Sequence, residues 1–285
     1  MKRRLRWSTV LSVVLVVENA YLLFPAARDL ALRTEESEPM RGRQVAQALG
    51  CFGCHGPEGR GNVPNIGSAL DTVPGFTEQT LMMFVENDRE LAEYIVDGAP
   101  KRRLQSASYR EQLDRQALHM PRFRGHISDA EVRALVAYLR LVSGLLRPPD
   151  GAVARGEQAV RELGCFSCHG EMGMGGQPNP GSLKGYVPGF LGDDFRDLVR
   201  NDEELMTWLR DGELPRIAEH PIGRFFFARQ RVHMPAYKRF TSEEKLEAAA
   251  AYVRWLSDGT WHMQPLLPSS DGTARRDPVP PATTG

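Results

Sequence analysis

Cys51, Cys54 and His55, in the run Cys51-Phe52-Gly53-Cys54-His55, are the residues best placed to do chemistry. Two thiols three positions apart can add to the two vinyl groups of one haem, and the adjacent imidazole can ligate its iron. C-x-x-C-H is the attachment pattern for c-type haem. The motif recurs 114 positions on as Cys165-Phe166-Ser167-Cys168-His169, and the two motifs hold all four cysteines of the chain. Two other uses of C-x-x-C compete. A redox dithiol sits on a βαβ pattern, and none is legible here. A shared tetrahedral Cys/His zinc site fits the ligand count, but it does not explain why each motif has its own copy of everything downstream. The reading is therefore two covalently bound haem c groups, one on Cys51 and Cys54 and one on Cys165 and Cys168. His55 and His169 are then the first axial ligands.

The elements that must position these residues also come twice. Gly42 and Gly156 open short helical patterns, with Val45, Ala46 and Leu49 apolar in one and Ala159, Val160 and Leu163 in the other. Gly50 and Gly164 end them directly before the motif. Beyond it, Pro64-Asn65 is matched by Pro178-Asn179, Val73-Pro74-Gly75-Phe76 by Val187-Pro188-Gly189-Phe190, and Asn87-Asp88 by Asn201-Asp202. Leu91, Tyr94 and Ile95, like Leu205, Trp208 and Leu209, take the i, i+3, i+4 positions of an amphipathic helix. Gly98 and Gly212 stop it. A divergent stretch follows, Lys101–Leu118 against Glu219–Val232. A longer helix closes each set, with Val132, Leu135, Val136 and Leu139 on one face and Leu246, Ala249, Ala250 and Val253 on its counterpart. Ser128 with Glu131 and Thr241 with Glu244 fit capping boxes at their starts. Apart from the two capping boxes, which are 113 apart, the matched pairs keep the offset of 114 from residue 42 to about 144, which predicts a duplicated domain. No alternating strand pattern of useful length appears. The expected fold is all-α: two tandem domains of short helices around a covalent haem each, after an N-terminal transmembrane helix.

A histidine-bound haem iron needs a second axial ligand if it is to pass electrons without binding small molecules. Among ten methionines and seven histidines, Met82, Met83, Met172, Met174, His126, His220 and His262 have no counterpart in the other set. Outside the motifs only His119-Met120-Pro121 and His233-Met234-Pro235 correspond. The distal ligand is then His119 or Met120 in one set, and His233 or Met234 in the other. Taken together, these residues resemble the class I cytochrome c family over about residues 40–145 and 153–260. The resemblance is to tandem dihaem members such as cytochrome c4 or the dihaem subunit of a membrane oxidase or dehydrogenase complex. It implies Met120 and Met234 as distal ligands, each followed by proline in a loop before the last helix. It also implies that the carbonyls of Pro64 and Pro178 accept a hydrogen bond from the haem histidines. Gly42 with Tyr138, and Gly156 with Tyr252, would make the contact between first and last helices. The long, Arg-rich stretch before each Met departs from the family pattern. Methionine ligation implies a higher reduction potential than two histidines would, and it leaves His119 and His233 near the haem edge or in solvent.

That stretch gathers Lys101, Arg102, Arg103, Arg110 and Arg115, then Arg224, Arg229 and Arg231. They suit haem-propionate pairing or partner docking, or else simply a solvated surface. Phe225, Phe226 and Phe227 are expected to pack beneath it. At whole-chain level 36 basic residues balance 36 acidic ones, so charge points to no nucleic-acid partner. Lys2-Arg3-Arg4-Leu5-Arg6 followed by an apolar stretch to Phe24, interrupted by Glu18 and Asn19, reads as a signal-anchor, with the body on the extracytoplasmic, periplasm-facing side. A cleaved signal and a soluble periplasmic form is the alternative. The expected organisation is a signal-anchor over 1–27, a spacer over 28–39, a cytochrome c domain over 40–146, a linker over 147–153, a second domain over 154–263 and a disordered tail over 264–285. The expected function is single-electron transfer between redox protein partners of a respiratory-type chain, with no catalytic residues, either as a tethered shuttle or as a subunit of a respiratory complex. A dihaem enzyme, such as a peroxidase or thiosulfate dehydrogenase, is the competing class and requires an open or displaceable iron site.

Overall fold

The computed structural model describes residues 37–259 except 78, 79, 145 and 150, together with Val14, Val16, Glu18 and Trp261. The 264–285 tail lies outside the described residues, as do nearly all of the 1–27 anchor and most of the 28–39 spacer. Among the described residues no helix is long and apolar enough to cross a membrane.

The chain is mostly helical. Helix α1 (Glu38–Ala48) begins inside the stretch read as spacer, because Pro39 falls in its first turn, where the missing N–H costs nothing. Gly50, with φ 74°, ends it and caps α2 (Cys51–His55), the motif itself. A loop then folds onto a two-residue antiparallel ladder, β1 (Val63–Pro64) with β2 (Thr72–Val73). Helix α3 (Asp88–Asp97) is capped by the Asn87 side chain, which accepts from the Glu90 amide at 3.0 Å, and it stops at left-handed Gly98. Short helices α4 (Lys101–Leu104) and α5 (Ala107–Arg115) fill the divergent stretch. Helix α6 (Asp129–Val142) starts at the expected Ser128–Glu131 capping box.

The same order follows again, with one helix added: α7 (Ala152–Glu162), α8 (Cys165–His169), β3 (Gln177–Pro178) paired with β4 (Tyr186–Val187), the added α9 (Asp193–Leu198), α10 (Asp202–Asp211), α11 (Pro215–Ala218), α12 (Pro221–Phe227) and α13 (Glu243–Ser257). Three expectations change in detail. The fold is not wholly α, since two ladders are present, and strands of two residues leave no alternation to read. Helix α7 starts at Ala152, within the 147–153 linker. The cap of α13 is Ser242, not Thr241: its hydroxyl accepts from the Lys245 amide at 3.3 Å. Serine is the better N-cap of the two, and the helix therefore starts one residue later with lysine, not glutamate, in the third position.

The core is built where the first and last helices of each set cross. At Gly42 an added Cβ would lie 2.0 Å from the Ala134 carbonyl oxygen and 2.7 Å from Tyr138 Cβ; at Gly156 the same distances hold to Ala248 and Tyr252. The implied glycine–tyrosine contacts are thus present in both. Both tyrosines are buried. Arg140 is 4% exposed; it donates to Asp88 Oδ2 at 2.5 Å and to the Trp261 carbonyl at 3.2 Å. The first bond ties α6 to α3, and the second ties it to the segment following α13.

Candidate haem site

The motif helix α2 is only five residues long, but that is enough to set Cys51 and Cys54 one turn apart with His55 immediately after. Burial raises the Cys51 thiol and pushes Cys165 up to about 11. A redox-active dithiol needs the opposite shift, toward the thiolate. Among the described residues no three His, Cys, Asp or Glu side chains converge as a metal cluster, so a shared zinc site is not assembled.

The imidazole of His55 is fixed by its own hydrogen bond. Its Nδ1 lies 2.8 Å from the Pro74 carbonyl oxygen, and His169 Nδ1 lies 2.7 Å from that of Pro188. A carbonyl only accepts, so each Nδ1 carries the proton and Nε2 keeps its lone pair for a metal. Burial lowers both histidine pKa values, against the bond to the proline carbonyl, which raises them. The neutral form, the one able to bind a metal, is favoured. This corrects the expectation for Pro64 and Pro178. Those prolines sit in the ladders opposite Thr72 and Tyr186, and the chain leaving the partner strand brings Pro74 and Pro188 to the imidazoles. Glycines permit the approach: a Cβ on Gly61 would meet the Gly75 amide nitrogen at 2.6 Å, and one on Gly59 would enter the Phe76 ring. The Phe76 ring stands 5.3 Å from that of His55, and Phe190 stands 4.7 Å from His169. The sequence did carry a signal for this, since Val-Pro-Gly-Phe is the run that recurs intact.

The loop bearing Met120 is clamped by a buried amide that sequence reasoning matched but gave no role. Asn65, 5% exposed, donates from Nδ2 to the Leu118 carbonyl at 3.1 Å, and its Oδ1 accepts from the Leu118 amide at 2.7 Å. Asn179 grips Val232 in the same way at 2.9 Å in both directions. Gly98 and Gly212 let the loop close in, since a Cβ there would meet the Met120 and Met234 carbonyl oxygens at 2.7 and 2.2 Å. His119 is exposed and its Nε2 lies 2.7 Å from the Leu113 carbonyl oxygen. His233 is also exposed, its Nδ1 3.3 Å from the side-chain Nε2 of Gln230.

In the first set these parts enclose a cavity of about 210 Å³. Cys51, Cys54, His55 and Met120 all line it, and Ala46, Leu81, Phe84, Val85, Leu91, Ile95, Leu135 and Leu139 make apolar walls. Two thiols, an imidazole nitrogen and a thioether sulfur around an apolar space suit a haem c. The arginines of the divergent stretch divide. Arg102 is neutralised by buried Glu90, at 2.6 Å, and by Glu86, and Arg216 repeats the pair with Glu204 at 2.9 Å. Arg103 turns to the cavity wall. Of the three phenylalanines expected to pack beneath the stretch, Phe226 and Phe227 are half-buried, but Phe225 is 54% exposed. Arg229 lies over the Phe225 ring instead.

No curated protein matches the chain. The cytochrome c family model matches residues 39–143, the stretch from the first turn of α1 to the end of α6. Residues 39–143 are therefore a cytochrome c family domain, with the covalently bound haem c and the haem-based electron transfer that the family implies.

Proposed function

We propose that the chain is a dihaem c-type cytochrome that passes single electrons between redox proteins on the extracytoplasmic side of a membrane. It would be held there by its N-terminal segment, as a tethered shuttle or as a subunit of a respiratory complex. One observation carries the second haem. The histidine–proline carbonyl bond occurs in both sets, at 2.8 and 2.7 Å, and the asparagine clamp on the methionine loop accompanies it each time. A haem c held at each site supplies a one-electron Fe(III)/Fe(II) couple. The chain's own part is to anchor and orient. Cys51 and Cys54, with Cys165 and Cys168, would hold the macrocycle by thioether bonds, and His55 and His169 would present Nε2. Met120 and Met234 would complete the coordination from loops held by Asn65 and Asn179. Two filled coordination spheres favour electron transfer over chemistry at the iron. The basic, apolar N-terminal run supports the location and the tether.

Haem content and the visible spectrum of the purified full chain test this reading. The expected result is two haem c per chain, a sulfur-to-iron charge-transfer band from both oxidised haems, and slow carbon monoxide binding after reduction. One haem per chain would sink the dihaem reading, and fast carbon monoxide binding at one iron would move the protein to the enzyme class.

A further inference from the structure

The two sites differ on one wall. In the first set Arg103 reaches the cavity, where its Nη1 donates to the Tyr94 hydroxyl at 3.2 Å. Its guanidinium lies 4.4 Å from the Tyr109 ring centroid and 5.6 Å from that of Phe84. The two tyrosine hydroxyls are 3.4 Å apart. Burial raises the Tyr94 pKa, so the phenol stays neutral and offers the guanidinium no countercharge. Among the described residues no carboxylate stands within ion-pair distance of Arg103, although neighbouring Arg102 is paired twice. The positions that correspond to Tyr94, Arg103 and Tyr109 in the second set are Trp208, Ile217 and Gly223. There Trp208 donates its indole N–H to the Leu198 carbonyl at 3.3 Å and packs against Phe227. The first set's cavity wall holds a full positive charge between aromatic rings, and the second set has no charged residue at the three corresponding positions.

We infer that Arg103 sets the first haem site at a higher reduction potential than the second, giving the pair a direction for electron flow. The inference rests on the dihaem reading. Reduction removes one positive charge from the iron site, so a fixed cation nearby favours the reduced form. At an effective dielectric near 20 and a separation on the order of 10 Å, a unit charge changes an equilibrium constant by roughly tenfold. Pairing of Arg103 with a haem propionate would act with the same sign, because its loss would leave that negative charge uncompensated.

The test is a spectroscopic redox titration of the full-length holoprotein and of Arg103→Gln and Arg103→Lys, with haem counted in every sample. The native protein is expected to titrate in two steps. In Arg103→Gln the higher step falls by roughly tenfold in equilibrium constant, about 59 mV for one electron, and the lower step stays in place. Arg103→Lys keeps most of the native value. Equal shifts in both variants would reduce Arg103 to a packing role, and no shift in either would overturn the inference. A count of one haem per chain would refute the dihaem reading separately, and the response of that haem to Arg103→Gln would still decide the role of the charge.

Discussion

Gly42→Ala sets two effects of opposite sign against each other. Alanine in a helix interior is favoured over glycine by about 1 kcal/mol, so α1 alone would gain. The crossing with α6 opposes this. The new methyl would stand 2.0 Å from the Ala134 carbonyl oxygen and 2.5 Å from its carbon, against an ordinary contact of roughly 3.5 Å. Neither obstacle can rotate away, because both are backbone. The helices must separate by roughly 1.5 Å, and a gap of even ~1 Å forfeits up to about half of each contact along the seam. Ala46, Leu135 and Tyr138, all buried, lose packing together. Overpacking of this kind costs about 1–3 kcal/mol, and the rigid backbone obstacle places this case at the upper end. The net expectation is a loss of about 2 kcal/mol, on the order of 10 °C in the melting temperature of a domain this size. Urea unfolding of the holoprotein followed by circular dichroism should show a lower midpoint at unchanged slope. Gly156→Ala, with the same 2.0 Å approach to Ala248, should move in the same direction. An unchanged or raised midpoint would show that the helices part freely, and the account of the core would be wrong.

Two further outcomes follow from the geometry. Burial alone would raise the Glu90 pKa, but the hydrogen bonds from Arg102 and the Glu86 amide hold it below the usual carboxylate range. A depressed pKa stabilises the fold above the unfolded value of about 4.3, and that stability is lost as pH falls through the folded value. Glu90→Gln should therefore cost about 1–3 kcal/mol near neutrality and flatten the acid limb of a stability–pH curve; an unaltered limb would remove Glu90 from the account. At the site, Met120→Ala should abolish one haem's charge-transfer band and lower its potential. His119→Ala should leave both intact, and the reverse outcome would make His119 the ligand.

The chemistry was legible because it is local. Cys51 to His55 span a single helical turn, and a match 114 residues away needs no knowledge of the fold. The stop at Gly98 and the cap at Ser128 were equally readable, since each acts within four residues of itself. The glycine–tyrosine seam came from family resemblance, and the steric reason for it lies in a 2.0 Å approach between helices distant in sequence. What only the tertiary structure decided are pairings across loops. Pro64 and Pro74 are both prolines near the motif and both recur in the second set; the fold brings the carbonyl of Pro74, just past the Val63–Val73 pair, to His55. Asn65 reaches Leu118 across 53 residues. Adjacent Arg102 and Arg103 are alike as letters, but the fold gives one a buried carboxylate and the other an aromatic wall. Sequence alone determined which groups could bind a haem, because covalent spacing and short-range helix geometry are written residue by residue. The structure decided which carbonyl, clamp and charge meet those groups, because such contacts depend on how loops close around a shared core.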